Sequence, residues 1–495
     1  MPQTAAAPER RHRYATVQRI TGILLMWFSS TMLPPLVVDA IYGEGLVQPF
    51  LMGLWITLAT GALIWWPARA SRAELKTRDG FLITALFWSV LGLFGAIPLY
   101  FSGQAWHTFT DAVFESVSGM TTTGATTVAH GLDTLPHSLN FYRMLLHWLG
   151  GVGIVVLAVA VLPMLGIGGM QLYKAETPGP LKDAKLTPRI ASTARALWLL
   201  YVTLTAIATL TFWLLGMSFF DALCHAMSTM ATGGFSTHDA SIAYFDSPAI
   251  ELAVTIFLLI GAVNFALHFT AWRQRSPKVY FRDTEFRSFL AVLAVFAALV
   301  CWPLHSFGLY PDWPTTLRRG LFQLVAYSTD SGFSTADPTG WPVYVPMLLI
   351  LASFMVACSG STSGGVKMVR LVLFVRQASR ELRRLVHPNA ELAIKIDGKP
   401  VPNDVVYAVG GFFSFYIGMT VLLTFMMMAT GLDAVTALSA VAACINNSGL
   451  GLGAVADNFA SVSDVGKWVL TFTMLLGRLE VFTLLVIFTP QFWRR

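Results

Sequence analysis

Apolar runs long enough to cross a bilayer recur along the chain at about 17–41, 47–67, 80–102, 140–170, 194–217, 248–272, 285–309, 342–375, 404–430 and 464–490. Each predicts one spanning helix, because a hydrocarbon core of about 30 Å takes roughly 20 residues at about 1.5 Å per residue. After the third, fifth, seventh and ninth runs come shorter apolar stretches, 109–121, 219–230, 316–328 and 434–445, too short to cross. Each leads at once into a small polar knot that contains glycine. The knots are Met120-Thr121-Thr122-Thr123-Gly124-Ala125-Thr126, Met230-Ala231-Thr232-Gly233-Gly234-Phe235-Ser236, Ser328-Thr329-Asp330-Ser331-Gly332-Phe333-Ser334 and Ile445-Asn446-Asn447-Ser448-Gly449-Leu450-Gly451. Non-helical backbone at membrane depth persists only where it lines water or is buried in protein. The pattern therefore predicts four half-helices that enter, end in a loop and return.

Anchored on Gly124, Gly234, Gly332 and Gly449, the repeat has spacings of 110, 98 and 117 residues. Asp111 and Asp221 each lie 13 residues before the glycine, and Phe235-Ser236-Thr237 matches Phe333-Ser334-Thr335. One such knot alone reads as a helix cap or packing motif; four in register predict loops around one axis. Glycine reaches positive φ without steric cost, which helps aim successive carbonyls inward. Carbonyls so placed replace a cation's water shell, and the half-helices point their negative ends at it. The candidate cation ligands are Thr121, Thr122, Thr123 and Gly124; Ala231, Thr232, Gly233 and Gly234; Thr329, Asp330, Ser331 and Gly332; and Asn446, Asn447, Ser448 and Gly449. All the half-helices enter from one side, which favours a pore over inverted-repeat transport.

Composition agrees with a polytopic helical membrane protein. Of 495 residues, 55% are hydrophobic and only 12% charged, against about a quarter charged in soluble domains. Trp65, Trp66, Trp148, Trp341, Trp468 and Trp493 lie near segment ends, as in an interfacial belt. Cys224, Cys301, Cys358 and Cys444 lack metal or disulfide spacing and read as packing residues. Arg10, Arg11, Arg13 and Arg19 precede the first run, with no cleavage site evident. One set of loops carries Arg69, Arg72, Lys76 and Arg78, then Lys174, Lys182, Lys185, Arg189 and Arg195, then Arg273, Arg275, Lys278, Arg282 and Arg287, and last Arg370 to Lys399. The half-helix side is mainly acidic, with Arg143, Arg318, Arg319 and Lys467 as exceptions. The asymmetry puts both termini in the cytoplasm. Basic residues sit in inter-helix loops and not beside stacking aromatics, so nucleic acid is no partner.

Residues 357–367 interrupt the eighth run with Ser359, Gly360, Ser361, Thr362, Ser363, Gly364, Gly365 and Lys367. Such a run holds a helix poorly, since each glycine costs about 1 kcal/mol relative to alanine. It reads either as a flexible intramembrane gate below the third knot or as a helix break used for packing. Lys367 would cap its cytoplasmic end. Arg478 lies inside the apolar tenth run, where a buried charge costs about 2.5–3.5 kcal/mol. It is either an electrostatic barrier in the pore or the partner of Glu480, although residues two apart on a helix do not face each other. Glu115 and His225 occupy matching half-helix positions and read as scaffold; His147 and His268 read as packing. Asp330 either concentrates cations at the outer mouth or is a hydrogen-bonded scaffold carboxylate. No nucleotide-binding loop or metal pair marks an enzyme. Gly360 to Gly364 lacks the strand–turn–helix setting of a hydrolase elbow, which leaves an intramembrane hydrolase as a remote alternative.

With its four knots, the Cys358-to-Lys367 run and the ending Gly477-Arg478-Leu479-Glu480-Val481-Phe482-Thr483-Leu484-Leu485, the whole chain resembles the Trk-type potassium uptake subunits of the Trk, Ktr and HKT superfamily. The resemblance implies an all-α membrane protein in which four helix–pore-loop–helix units surround a pseudo-fourfold axis, after an extra N-terminal hairpin. The expected units are 1–70 (cytoplasmic segment and hairpin), 71–175, 176–275, 276–402 (with the gate loop and a basic cytoplasmic segment) and 403–495. Glycine at all four key positions implies potassium as the ion. The resemblance further implies a bacterial inner-membrane homodimer, with a cytoplasmic nucleotide-binding regulatory subunit (a TrkA-like ring) and membrane lipid around it. Residues 376–402 are the expected docking surface. Proton- or sodium-coupled symport of potassium or sodium stays open as an alternative.

Overall fold

The computed structural model describes residues 7–71, 77–156, 190–355, 357–390 and 392–494. These are mostly helical, with one small antiparallel hairpin pairing Lys395–Ile396 with Lys399–Pro400. Among the described residues six helices are long and apolar enough to cross a membrane, or up to eight if two bent pairs each count as one span. The fourth predicted run is helical over His137–Val156 and then leaves the described residues. The expected boundary at 175/176 lies there too, as do Lys174, Lys182, Lys185 and Arg189; Arg72 and Lys76 are likewise outside.

The N-terminal hairpin comprises Tyr14–Tyr42 and Val47–Ala68. Its helices meet at glycines: a Cβ on Gly22 would lie 2.7 Å from the Gly61 carbonyl oxygen, and one on Gly61 would lie 2.9 Å from that of Gly22. Small residues at such crossings let backbones approach closely. One apolar core joins this hairpin to the first and fourth repeats through Phe50, Trp88, Phe114, Tyr416, Val441 and Met474. A second joins the middle repeats through Tyr201, Phe257, Phe289, Phe322 and Leu349.

The half-helices are Phe109–Met120, Phe219–Met230, Trp313–Ser328 and Ala434–Ile445. The third starts three residues before the expected 316, because Asp312 caps it and Pro314 opens its first turn. All four are capped by a side-chain oxygen, from Thr108, Ser218, Asp312 and Asp433.

Three predicted spans are not continuous helices. The sixth bends by 96° between Pro248–Gly261 and Phe265–Gln274, and the tenth by 108° between Asp464–Arg478 and Phe482–Phe488. The eighth divides into Tyr344–Ser353 and Met368–Val386. Arg478 therefore ends a helix and does not sit within one. Glu480 and Val481 beyond it take φ of 55° and 47°, which no helix accommodates.

Candidate functional site

The four half-helices end the same way. The amides of Thr123, Gly233, Ser331 and Ser448 donate to the carbonyls of Ser118, Ser228, Ala326 and Ala443, at 2.8–2.9 Å. The preceding amides of Thr122, Thr232, Asp330 and Asn447 donate to Gly119, Thr229, Tyr327 and Cys444. This paired pattern is a Schellman stop, in which the residue after the helix takes a left-handed conformation and is usually glycine. Here it is Thr122, Thr232, Asp330 or Asn447, with φ between 52° and 58°. For β-branched threonine that conformation is an outlier, and strained backbone of this kind costs about 1–3 kcal/mol per residue. Two residues on, Gly124, Gly234, Gly332 and Gly449 return to positive φ, between 68° and 85°. Alternation of φ sign turns successive carbonyls to one side, where an ordinary strand would alternate them.

The knots close into a ring. A Cβ on Gly124 would strike the carbonyl oxygen of Gly233, one on Gly234 that of Ser331, and one on Gly449 that of Thr123. A Cβ on Gly332 would sit 2.9 Å from the carbonyl oxygen of Ser448. The contacts run from the first repeat to the second, third, fourth and back to the first. All four glycines also line one cavity of about 450 Å³, together with Arg143, Asp239, Gln323 and Asn458. Asn447 Nδ2 donates to Thr123 Oγ1 at 3.0 Å and joins the last knot to the first.

Each half-helix also sends one side chain up to the chain leaving its knot. Glu115 accepts from Thr126 Oγ1 and the Thr127 amide, both at 3.0 Å. His225 Nε2 meets Ser236 Oγ at 2.9 Å, Gln323 Oε1 accepts from the Thr335 amide at 3.3 Å, and Ser439 Oγ accepts from the Leu452 amide at 2.9 Å. The scaffold reading of Glu115 and His225 fits this geometry. Gln323 and Ser439 do the same work and were missed, because their residue types differ from the other two. His147 packs as expected, stacked 4.1 Å from the Phe235 ring. His268 bonds Tyr280 Oη at 2.8 Å and the Ile260 carbonyl at 2.9 Å.

The four cations that broke the charge asymmetry all have carboxylate partners. Arg143 pairs with Glu115 at 2.8 Å, Arg318 with Glu251 at 2.7 Å, Arg319 with Glu251 at 3.3 Å and Lys467 with Asp111 at 2.7 Å. Arg143 also donates to the Ser236 carbonyl of the next repeat. Breaking one side of a buried pair costs about 3–5 kcal/mol. Arg143→Met is therefore expected to lower thermal stability in detergent sharply, and Glu115→Gln in the same chain to restore part of it.

On the loops that follow the knots, His238 lies 2.6 Å from Asp133 and 3.4 Å from Asp221, clasping the first repeat to the second. Burial pulls its pKa down, but the two carboxylates prevail and raise it above the ordinary imidazole value. A raised folded pKa contributes stability that is full below the unfolded value of about 6.5 and fades as pH rises through the folded one. Thermal stability is thus expected to fall on going from pH 6 to alkaline pH, and His238→Gln to flatten that slope.

Beneath the ring, on the side away from the cavity, lies the 357–367 loop. Thr362 Oγ1 reaches the Met230 and Gly261 carbonyls, each at 3.1 Å, and Thr232 Oγ1 donates to it at 3.2 Å. Gly364 abuts the Asn446 carbonyl so closely that a Cβ would strike it. The loop therefore sits under the second and fourth knots as well as the third. The Cys358 amide donates to Ala262 at 3.0 Å and the Phe265 amide to Gly360 at 3.1 Å, so this contact fills the break in the sixth span. Lys367 Nζ donates back to the Ser363 carbonyl within the loop. Glu285 Oε1 accepts from the amides of Ser359 at 2.7 Å and Val369 at 3.1 Å, gripping both ends. Glu285 is buried and was not singled out in the sequence.

Arg478 donates to the Thr362 carbonyl at 2.9 Å and the Gly150 carbonyl at 3.3 Å. Its expected alternative partner, Glu480, pairs with Arg370 at 2.6 Å. Among the described residues no carboxylate pairs with Arg478. The Asp330 carboxylate is fully buried, does not line the cavity at the ring, and has no hydrogen-bond partner for either oxygen among the described residues. It fits neither the outer-mouth nor the hydrogen-bonded scaffold reading; Gly365 of the loop lies against it.

The sequence matches the profile of TrkH, described as a cation transport protein, over residues 46–495. It is 52% identical over 484 residues to the Trk system potassium uptake protein TrkH of Salmonella typhimurium, covering 97% of this chain and 99% of that one. The chain belongs to the TrkH family. It is 40% identical over 478 residues to the Trk system potassium uptake protein TrkG of Escherichia coli, covering 97% and 98% of the two chains. The crystal structure of the potassium transporter TrkH from Vibrio parahaemolyticus superposes with a TM-score of 0.90 at 48% identity, over 97% of this chain and 100% of that chain. This is thus a multi-pass membrane protein of a cation-transport family and not an enzyme. The hydrolase alternative falls, and Ser361 instead donates to the Cys358 carbonyl at 2.6 Å.

Proposed function

We propose that this chain takes up potassium through a filter formed by the four knots. The observation that carries the reading is the closed cycle in which each glycine abuts the carbonyl of the next repeat. Backbone oxygens from Thr121–Gly124, Ala231–Gly234, Thr329–Gly332 and Asn446–Gly449 would replace the water shell of a dehydrated ion. The potassium uptake named for the relatives supports the choice of ion. Entry is driven by an inside-negative potential, worth about 2.3 kcal/mol per charge per 100 mV.

Below the filter, Arg478 and the loop of Ser359, Gly360, Ser361, Thr362, Ser363, Gly364, Gly365 and Lys367 form the gate. Both termini face the cytoplasm of a bacterial inner membrane, the chain works as a homodimer, and a nucleotide-binding regulatory subunit docks at 376–402. The test is rescue of a potassium-uptake-deficient bacterium by this chain with its regulatory partner co-expressed. Rescue is expected; failure with protein present in the membrane overturns the reading. Gly124→Ser is expected to admit more sodium, measured as sodium influx relative to rubidium, because a side chain there displaces the Gly233 carbonyl.

A further inference from the structure

A second cavity, of about 540 Å³, shares no lining residue with the one at the ring. It is lined by Arg282, Arg287, Arg376, Lys395 and Lys399, with Asp397 the one carboxylate. The small Lys395–Pro400 hairpin holds it against the start of the seventh span: the Thr284 amide donates to Asp397 Oδ1 at 2.9 Å. Arg376 donates to the Lys395 carbonyl and so fixes the hairpin's other edge. Arg282, Arg287 and Lys395 make no ion pair among the described residues. Five cations line the concavity against Asp397, with Asp283 beside Asp397 and Arg287, and the balance is positive.

Its depth is set by Thr284, where a span begins. Phe281, 63% exposed, stands beside it. Met368–Val386, which contributes Arg376, exposes Phe374, Val375, Leu382, Leu385 and Val386 among its arginines. A helix with exposed apolar side chains between basic ones lies in the bilayer interface. Basic concavities between spans on the cytoplasmic side suit phosphate head groups.

We propose that this pocket binds a phosphate group, presented by an anionic phospholipid of the cytoplasmic leaflet. The site rests on the orientation proposed above and goes beyond the transport reading; Arg376, Lys395 and Lys399 belong to the 376–402 segment proposed for the regulatory subunit, so the lipid occupies the pocket when that subunit is absent, as in the purified chain tested below. It is joined to the gate loop through one helix start: the residue after Thr284 is Glu285, which grips Ser359 and Val369.

The test uses the full chain, purified and delipidated in detergent. Native mass spectrometry reads binding of phosphatidylglycerol against phosphatidylcholine, and pyrophosphate is tested separately by its shift in thermal unfolding. Phosphatidylglycerol is expected to bind preferentially, roughly a hundredfold more weakly in Arg282→Gln/Arg287→Gln/Lys399→Gln, and unchanged in Arg275→Gln, outside the pocket. Should the triple variant misfold, Lys399→Gln alone, on the exposed hairpin, is expected to weaken binding about fivefold. Stabilisation by pyrophosphate, lost in the triple variant, without lipid preference would overturn the headgroup as the source. Equal lipid binding by the parent and the folded variants overturns the pocket altogether. No transport is measured, so this outcome is independent of the potassium reading.

Discussion

Gly234→Ala is expected to abolish potassium uptake while the protein still reaches the membrane. Gly234 has φ of +85°, and its Cβ would strike the Ser331 carbonyl oxygen and crowd the Gly332 backbone at 2.6 and 2.7 Å. The left-handed conformation alone costs an L-residue about 1–2 kcal/mol. The collision adds to this, and backbone cannot swing aside as a flexible side chain can. If two carbonyls lose their place, each at about 1.4 kcal/mol per tenfold in binding, flux falls by roughly a hundredfold. Gly216 and Gly308 supply the control: both have positive φ, yet nothing lies within 4 Å of an added Cβ. Alanine there carries the same backbone strain without touching the ring, so rubidium uptake should stay within about twofold of the parent. Loss of uptake in the controls to the same extent would mean that backbone strain, and not the ring, is being read.

Arg478→Ala is expected to raise basal cation flux in the absence of any regulatory partner. The guanidinium is held under the knots by the Thr362 and Gly150 carbonyls, and Glu480 is engaged instead by Arg370. A unit charge about 8 Å from a passing ion, at an effective dielectric of about 20, opposes it by about 2 kcal/mol, or roughly thirtyfold in rate. The same substitution frees Thr362, so the loop loses a tether as the ion loses a barrier. Arg478→Lys separates the two roles: it keeps the charge and gives up one of the two hydrogen bonds. Liposome flux that is unchanged in Arg478→Ala rejects both roles.

The half-helices were legible because their length and the glycines after them are local properties. The ends of three of the four matched the hydrophobic pattern to within a residue, and the four-residue offset between Gly124 and its helix end recurs in the others. The left-handed residue two places earlier was not legible. Thr122, Thr232, Asp330 and Asn447 are of three residue types, and threonine in particular argues against that conformation. It is imposed by the paired hydrogen bonds that stop the helix and by the packing around the ring. Breaks in the sixth and tenth spans were equally hidden. Gly261-Ala262-Val263-Asn264 looks like ordinary apolar helix until Cys358, almost a hundred residues later, takes the Ala262 carbonyl. Glu285 was hidden for the same reason, since its partners Ser359 and Val369 are 74 and 84 residues away. The exceptions to the charge asymmetry were visible as anomalies, but only three-dimensional neighbours explain them as ion pairs.

Coordination of one cation on a shared axis by main-chain oxygens of four repeats is tested by crystals grown with thallium, a heavy stand-in for potassium, read by anomalous scattering. A peak is expected on the axis about 3 Å from the carbonyl oxygens of Thr123, Gly233, Ser331 and Ser448. Thallium confined to the outer cavity, with the ring empty, would contradict it.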